Sequence, residues 1–87
     1  LQNNDINTAI KHYKMALQKD SLLFPVYSNL ATAYSMNKEN MKAMQIMETW
    51  MKLEPTSGRP YYLRALLNFE LKENDKAVAD LRKALKI

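Results

Sequence analysis

The chain repeats itself at an interval of 34 residues, and few folds tolerate that. Ala9, Ala43 and Ala77 fall on the interval, as do Tyr13, Met47 and Leu81, then Ala16, Trp50 and Ala84. Tyr27 pairs with Tyr61, and Ala31 with Ala65. A fixed period of this length marks stacked supersecondary units, none of which can bury its apolar face alone. Such proteins usually work by offering a surface, not by doing chemistry.

The period is carried by helices. With one Gly and three Pro in 87 residues, and Ala, Leu, Lys, Met and Glu plentiful, helix is favoured throughout. A chain of this size makes one small module with a thin core. The absence of Cys excludes disulfides and thiolate metal sites within the segment and leaves the compartment open; the cytoplasm is the default reading and the periplasm an alternative. Nothing resembles a signal peptide or a membrane span. A net charge of +4 leans towards acidic partners, but the 13 basic residues are interleaved with nine acids, as on solvated helix faces. No dense basic stripe marks a nucleic-acid surface.

Five helices are expected. The first runs about Asp5 to Lys19, with Ile6, Ala9, Ile10, Tyr13, Ala16 and Leu17 at helical spacing and Asp5 as N-cap. The second starts near Pro25, harmless in a first turn. It carries Tyr27, Leu30, Ala31, Ala33 and Tyr34 on one side. The third runs from about Asn40 to Leu53 on a stripe of Ala43, Met44, Met47, Trp50 and Met51, and Pro55 ends it. Ser57 is the expected N-cap of the fourth, which continues to about Leu71. The fifth runs from about Asn74 onward. The turns are short, so neighbours must pack antiparallel.

Tyr27-x-x-Leu30-Ala31-x-x-Tyr34, then Ala43-x-x-x-Met47, then Pro55, resembles the tetratricopeptide repeat, whose pattern is Trp-x-x-Leu-Gly-x-x-Tyr, Ala-x-x-x-Phe, Pro. The resemblance covers essentially the whole chain. It implies an all-α fold of antiparallel helix hairpins stacked as a right-handed α-solenoid. In that register residues 24–57 form one full repeat and 58–87 most of another. Residues 1–23 supply the second helix of a partial repeat. Leu1 is not a Met, which fits a processed form or a piece of a longer protein; the repeat register favours the piece, and a bacterial source is the accompanying expectation.

Three positions depart from the pattern: Trp50, where the family usually has Ala; Asn68, where Tyr34 stands one period earlier; and Arg64, where Leu30 stands. Leu30 should face Ile46 across its hairpin. One period on, the same two positions are Arg64 and Asp80, both changed from apolar to charged with opposite signs. An ion pair across the fourth and fifth helices is expected, rather than an arginine offered to an anionic ligand.

No catalytic, cofactor-binding or metal-binding residues are assigned. His12 is the single histidine and has no converging ligands, so it reads as a surface residue. One glycine makes no phosphate loop. Glu70, Glu73 and Asp75 read as a solvated turn rather than a calcium site. Met44, Met47 and Met51 match core positions, although Met surfaces also bind helices. Met36 and Met41 are expected exposed.

The resemblance implies that the first helix of each hairpin lines a concave face. Those positions are Ser28, Thr32, Ser35 and Met36 on the second helix, and Arg59, Tyr62, Leu66, Phe69 and Glu70 on the fourth. Tyr62, Leu66 and Phe69 form an apolar stripe in addition to the packing face of Tyr61, Ala65 and Leu67, and a helix apolar on two sides expects two neighbours. A peptide anchored on Tyr62 and Phe69, with Arg59 at the rim, is the expected occupant.

Asn29 and Arg59 match two positions of the family's carboxylate clamp for chaperone tails. Leu63 stands where the second basic residue belongs, so that activity is rejected. Uncapped ends, with Ile10 and Leu17 at one and Leu81, Leu85 and Ile87 at the other, lead to an expectation of self-association. The functional reading is a non-enzymatic scaffold for a protein or peptide partner. The rivals are a repeat arm of a larger enzyme or redox protein, and a basic RNA-binding repeat, which steep salt dependence would reveal.

Overall fold

The computed structural model describes residues 3–87, with side chains from residue 5 onward. Those residues are all-α: α1 spans Asn3–Lys19, α2 Phe24–Met36, α3 Asn40–Leu53, α4 Arg59–Glu70 and α5 Asn74–Lys86. They divide into two compact units, the described residues up to 46 and residues 47–87.

In the first unit α1 packs against α2. The amide of Asn37, just past α2, donates to Asn7 Oδ1 near the start of α1 at 3.1 Å, so the two helices run antiparallel. Ile6 and Ile10 bury against a face of α2 that also carries the core residues Tyr27, Leu30, Ala31 and Tyr34. Ile10 is therefore a core residue here, not the exposed one expected: α2 covers that side of α1. The Tyr27 hydroxyl donates to the Ser21 carbonyl at 2.8 Å. Burial, then the charge of Asp20, raises its pKa.

In the second unit α4 packs against α5. Gly58, at the start of α4, lies against the backbone of Ala84 near the end of α5, which makes this pair antiparallel too. A Cβ at Gly58 would come within 2.7 Å of the Ala84 carbonyl oxygen, so the close approach itself requires glycine. The core holds Met47, Trp50, Met51, Pro60, Ala65, Leu67 and Ala77. Trp50 is only 1% exposed, and its indole N–H donates to Glu54 Oε1 at 2.9 Å. Met44 is half-buried and Met47 and Met51 are buried, so the third-helix methionines pack inward, whereas Met36 and Met41 are exposed.

The 34-residue period reappears as geometry. Ala43 and Ala77 are both fully buried. Lys38 and Lys72, one period apart, both adopt left-handed backbone, with φ of 61° and 62°. At each, the N–H of the following residue reaches back to close the helix: Glu39 to the Tyr34 carbonyl and Glu73 to the Asn68 carbonyl, both at 2.8 Å. Lys38 and Lys72 donate in turn to the Ser35 and Phe69 carbonyls. This is the double backbone bond that ends helices at a left-handed residue.

Two helix starts differ from expectation. α1 is already helical at Asn3, which puts Asp5 inside the helix rather than at its cap, where its charge complements the N–H groups of the first turn. The N-cap of α4 is Gly58, without a side-chain cap. Ser57 lies one residue outside and accepts from the Arg59 N–H at 3.3 Å. At α4 the cap is set by where the backbone turns, and Gly58 turns against Ala84.

Candidate partner-binding face

In the second unit, α4 buries Pro60, Ala65, Leu67 and Asn68 against the rest of that unit. Its other side carries Tyr62, Leu66 and Phe69, 50%, 42% and 41% exposed. Arg59, also exposed, sits at the start of the same helix. Spacings of four and three residues put the three apolar side chains on one side of the helix. At the start of α4, Arg59, Tyr62 and Leu63 border an open depression of about 420 Å³, closed on the α5 side by Ala84 and Leu85. Leu63, Ala84 and Leu85 were not assigned from sequence. The 34-residue spacing ties α4 to its packing face but says nothing of where its first turn meets the last turn of α5.

In the first unit, Ser28 is half-buried and Thr32 and Met36 are exposed, Met36 at 51%. Thr32 and Met36 border a groove of about 150 Å³ whose other wall is Ile6, Ala9 and Tyr13 of α1. Ser28 lies outside it, whereas Asn29 lies within it.

Arg64 and Asp80 meet across α4 and α5 as a bidentate pair: Arg64 Nε donates to Asp80 Oδ2 at 2.9 Å and Nη2 to Oδ1 at 2.8 Å. Asn68, which the sequence marked only as a missing aromatic, completes the group by donating to Asp80 Oδ2 at 3.0 Å. The signal was its place one turn after Arg64 on the same helix face. Asp80 is 6% exposed and has an acceptor-only carboxylate, so three N–H donors are what its burial requires. The hydrogen bond to Asp80 raises the Arg64 pKa, burial opposes it, and the charges of Asp80 and Glu48 add to it. Arg64 also lies 5.7 Å from the centre of the Tyr61 ring, with Lys83 Nζ at 5.9 Å. The guanidinium is thus engaged inside the hairpin.

His12 is exposed on α1. Glu70, Glu73 and Asp75 are exposed, and among the described residues no three His, Cys, Asp or Glu side chains are grouped to hold a metal ion. No described helix is long and apolar enough to cross a membrane.

Two antiparallel hairpins with period-related helix ends define a helical-repeat protein. Residues 58–87 match the family described as the tetratricopeptide repeat, and the chain carries that repeat. It is 31% identical over 78 residues to the Hsp70-Hsp90 organizing protein of Triticum aestivum, a match covering 90% of this chain and 13% of that protein. It is 28% identical over 78 residues to Hsp70-Hsp90 organizing protein 3 of Arabidopsis thaliana, covering 90% of this chain and 14% of that protein. Hsp70-Hsp90 organizing protein 1 of Glycine max is 31% identical over the same length, and again about one-seventh of it is covered. The chain therefore spans only a small part of these relatives. They are plant proteins, and nothing supports the bacterial origin expected from the sequence.

Proposed function

We propose that this chain is a non-catalytic protein-interaction module that holds an apolar peptide or helix on the exposed side of α4, the concave face in the family's register. The observation that carries the reading is the Tyr62–Leu66–Phe69 stripe, three large apolar side chains each two-fifths or more exposed on a helix that already has a packing face. Tyr62 and Phe69 are the anchors, because aromatic side chains bring large contact area at little conformational cost. Arg59 adds one cation at the end of the stripe. Ser28, Thr32 and Met36 of the first unit supply a second, smaller contact set. The division into repeats at 1–23, 24–57 and 58–87 belongs to the same proposal, with the right-handed stacking that the family implies.

The relatives' names make Hsp70 and Hsp90 the first partners to test. A contact through carboxylate-clamping cations is not part of the proposal, since Leu63 interrupts that set. The test is pull-down of Hsp70, Hsp90 and extract proteins by the wild type and by Tyr62→Ala/Phe69→Ala, with helix content checked by circular dichroism. Loss of two anchors should weaken capture by about tenfold or more. A folded double variant that retains every partner ends the reading.

A further inference from the structure

The charges on α4 run against its own dipole. A helix is steadied by acids in its first turn and bases in its last. α1 and α5 follow that rule, with Asp5 and Lys19 on the one and Asp75, Lys83 and Lys86 on the other. α4 reverses it: no acid stands in its first turn and no base in its last, and it opens with Arg59 and ends with Glu70. Both are exposed, and neither side chain makes an ion pair among the described residues. The arrangement therefore does nothing for the helix that carries it.

Position says where the two charges can be used. Arg59, Tyr62, Leu66 and Glu70 follow one another at three, four and four residues, and Phe69 stands next to Glu70. The charges thus close the two ends of the apolar stripe on the same side of the helix. They stand about 16 Å apart along the axis, at 1.5 Å per residue. Dipole and side chain have the same sign at each end, positive beside Arg59 and negative beside Glu70. Whatever lies along the stripe meets a cation at one end, an anion at the other and apolar side chains between.

We infer that the partner segment held by α4 is an amphipathic helix whose apolar face is bounded by one acidic and one basic residue about 16 Å apart, the acid on Arg59 and the base on Glu70. The inference rests on the reading of α4 given above and adds the partner's charge pattern to it. A helix matches the stripe turn for turn, because it repeats its apolar side chains at the same three and four residues and carries its charges at the same rise. The pattern also rejects wrong partners. A helix basic at both ends sets a like charge on Arg59, and one acidic at both ends sets a like charge on Glu70.

Three synthetic helical peptides test this. They share one leucine face and carry Glu and Lys, Lys and Lys, or Glu and Glu at its two ends. Each is titrated into the full chain by calorimetry at about 50 mM salt, where exposed charges are little screened. The wild type should bind the Glu/Lys peptide about fivefold more tightly than either of the others. Arg59→Glu should move the preference to the Lys/Lys peptide, and Glu70→Lys to the Glu/Glu peptide. Both variants should unfold at the same denaturant concentration as the wild type or a higher one, since each removes a conflict with the dipole. Equal binding of all three peptides, lost in Tyr62→Ala/Phe69→Ala, overturns the charge pattern and leaves the stripe standing. Binding of none overturns both. A lower denaturation midpoint in both charge variants shows that Arg59 and Glu70 serve the fold, and overturns the inference. So does a dimer of the chain alone that Tyr62→Ala/Phe69→Ala dissociates, which makes a second copy the occupant.

Discussion

Asp80 shows how one buried charge is made tolerable by two other side chains. Its carboxylate is nearly buried, and Arg64 and Asn68 satisfy both oxygens. Removing it by Asp80→Ala leaves the Asn68 amide buried without an acceptor and the Arg64 charge half-covered without a partner. Arg64, whose side chain is 25% exposed, can still turn partly to water, so the cost is set below that of a fully buried pair. A loss of about 2–3 kcal/mol is expected in urea denaturation. Arg64→Leu/Asp80→Ile reproduces Leu30 and Ile46 of the preceding period. It should cost less than Asp80→Ala, since no unpaired charge remains, though Asn68 still lacks its acceptor. If the losses of Arg64→Leu and Asp80→Ile measured singly simply add in the double variant, the pair is not coupled as the geometry requires.

At the scale of the element, α2 and α4 end in the same way. Lys38 and Lys72 occupy left-handed backbone, where a side chain carries a penalty of about 1–2 kcal/mol that glycine escapes. Glycine gives back about 0.5–1 kcal/mol through its freer unfolded chain. Lys72→Gly should therefore stabilise the protein by roughly 0.5–1 kcal/mol, whereas Lys72→Ala should gain nothing, measured as a shift in the denaturation midpoint. Equal midpoints for the two variants would show that the cost of the conformation at Lys72 is no larger than the chain entropy glycine loses on folding. Two charged residues at such positions are tolerable because the backbone bonds from Glu39 and Glu73 hold the turn whatever side chain sits before them.

For the whole molecule, the excess of basic over acidic residues is small and scattered along the chain. Binding through the α4 stripe rests on apolar area, so capture of its protein partner should change by less than about threefold between 50 and 300 mM salt. Binding to RNA through six or more phosphate contacts would instead fall by about a thousandfold or more over a comparable range. Filter binding of RNA alongside the pull-down distinguishes the two. A steep salt dependence in both would favour the nucleic-acid reading over the interaction module.

The amino-acid order by itself determined the number of helices, their limits to within about two residues, and the packing stripes of α2 and α3, because helical periodicity and turn chemistry are local properties of the chain. It also exposed the exchange of Leu30 and Ile46 for Arg64 and Asp80, since both members changed together at one period. Asn68 was half legible: its lost aromatic was plain, but its hydrogen bond depends on where the Asp80 carboxylate points after α4 and α5 have met. The tertiary structure alone decided that Ile10 is covered, that Gly58 packs against the Ala84 backbone, and that Leu85 borders a depression beside Arg59, Tyr62 and Leu63. Exposure is a property of what lies opposite a side chain, and the spacing of residues along one helix carries no record of that.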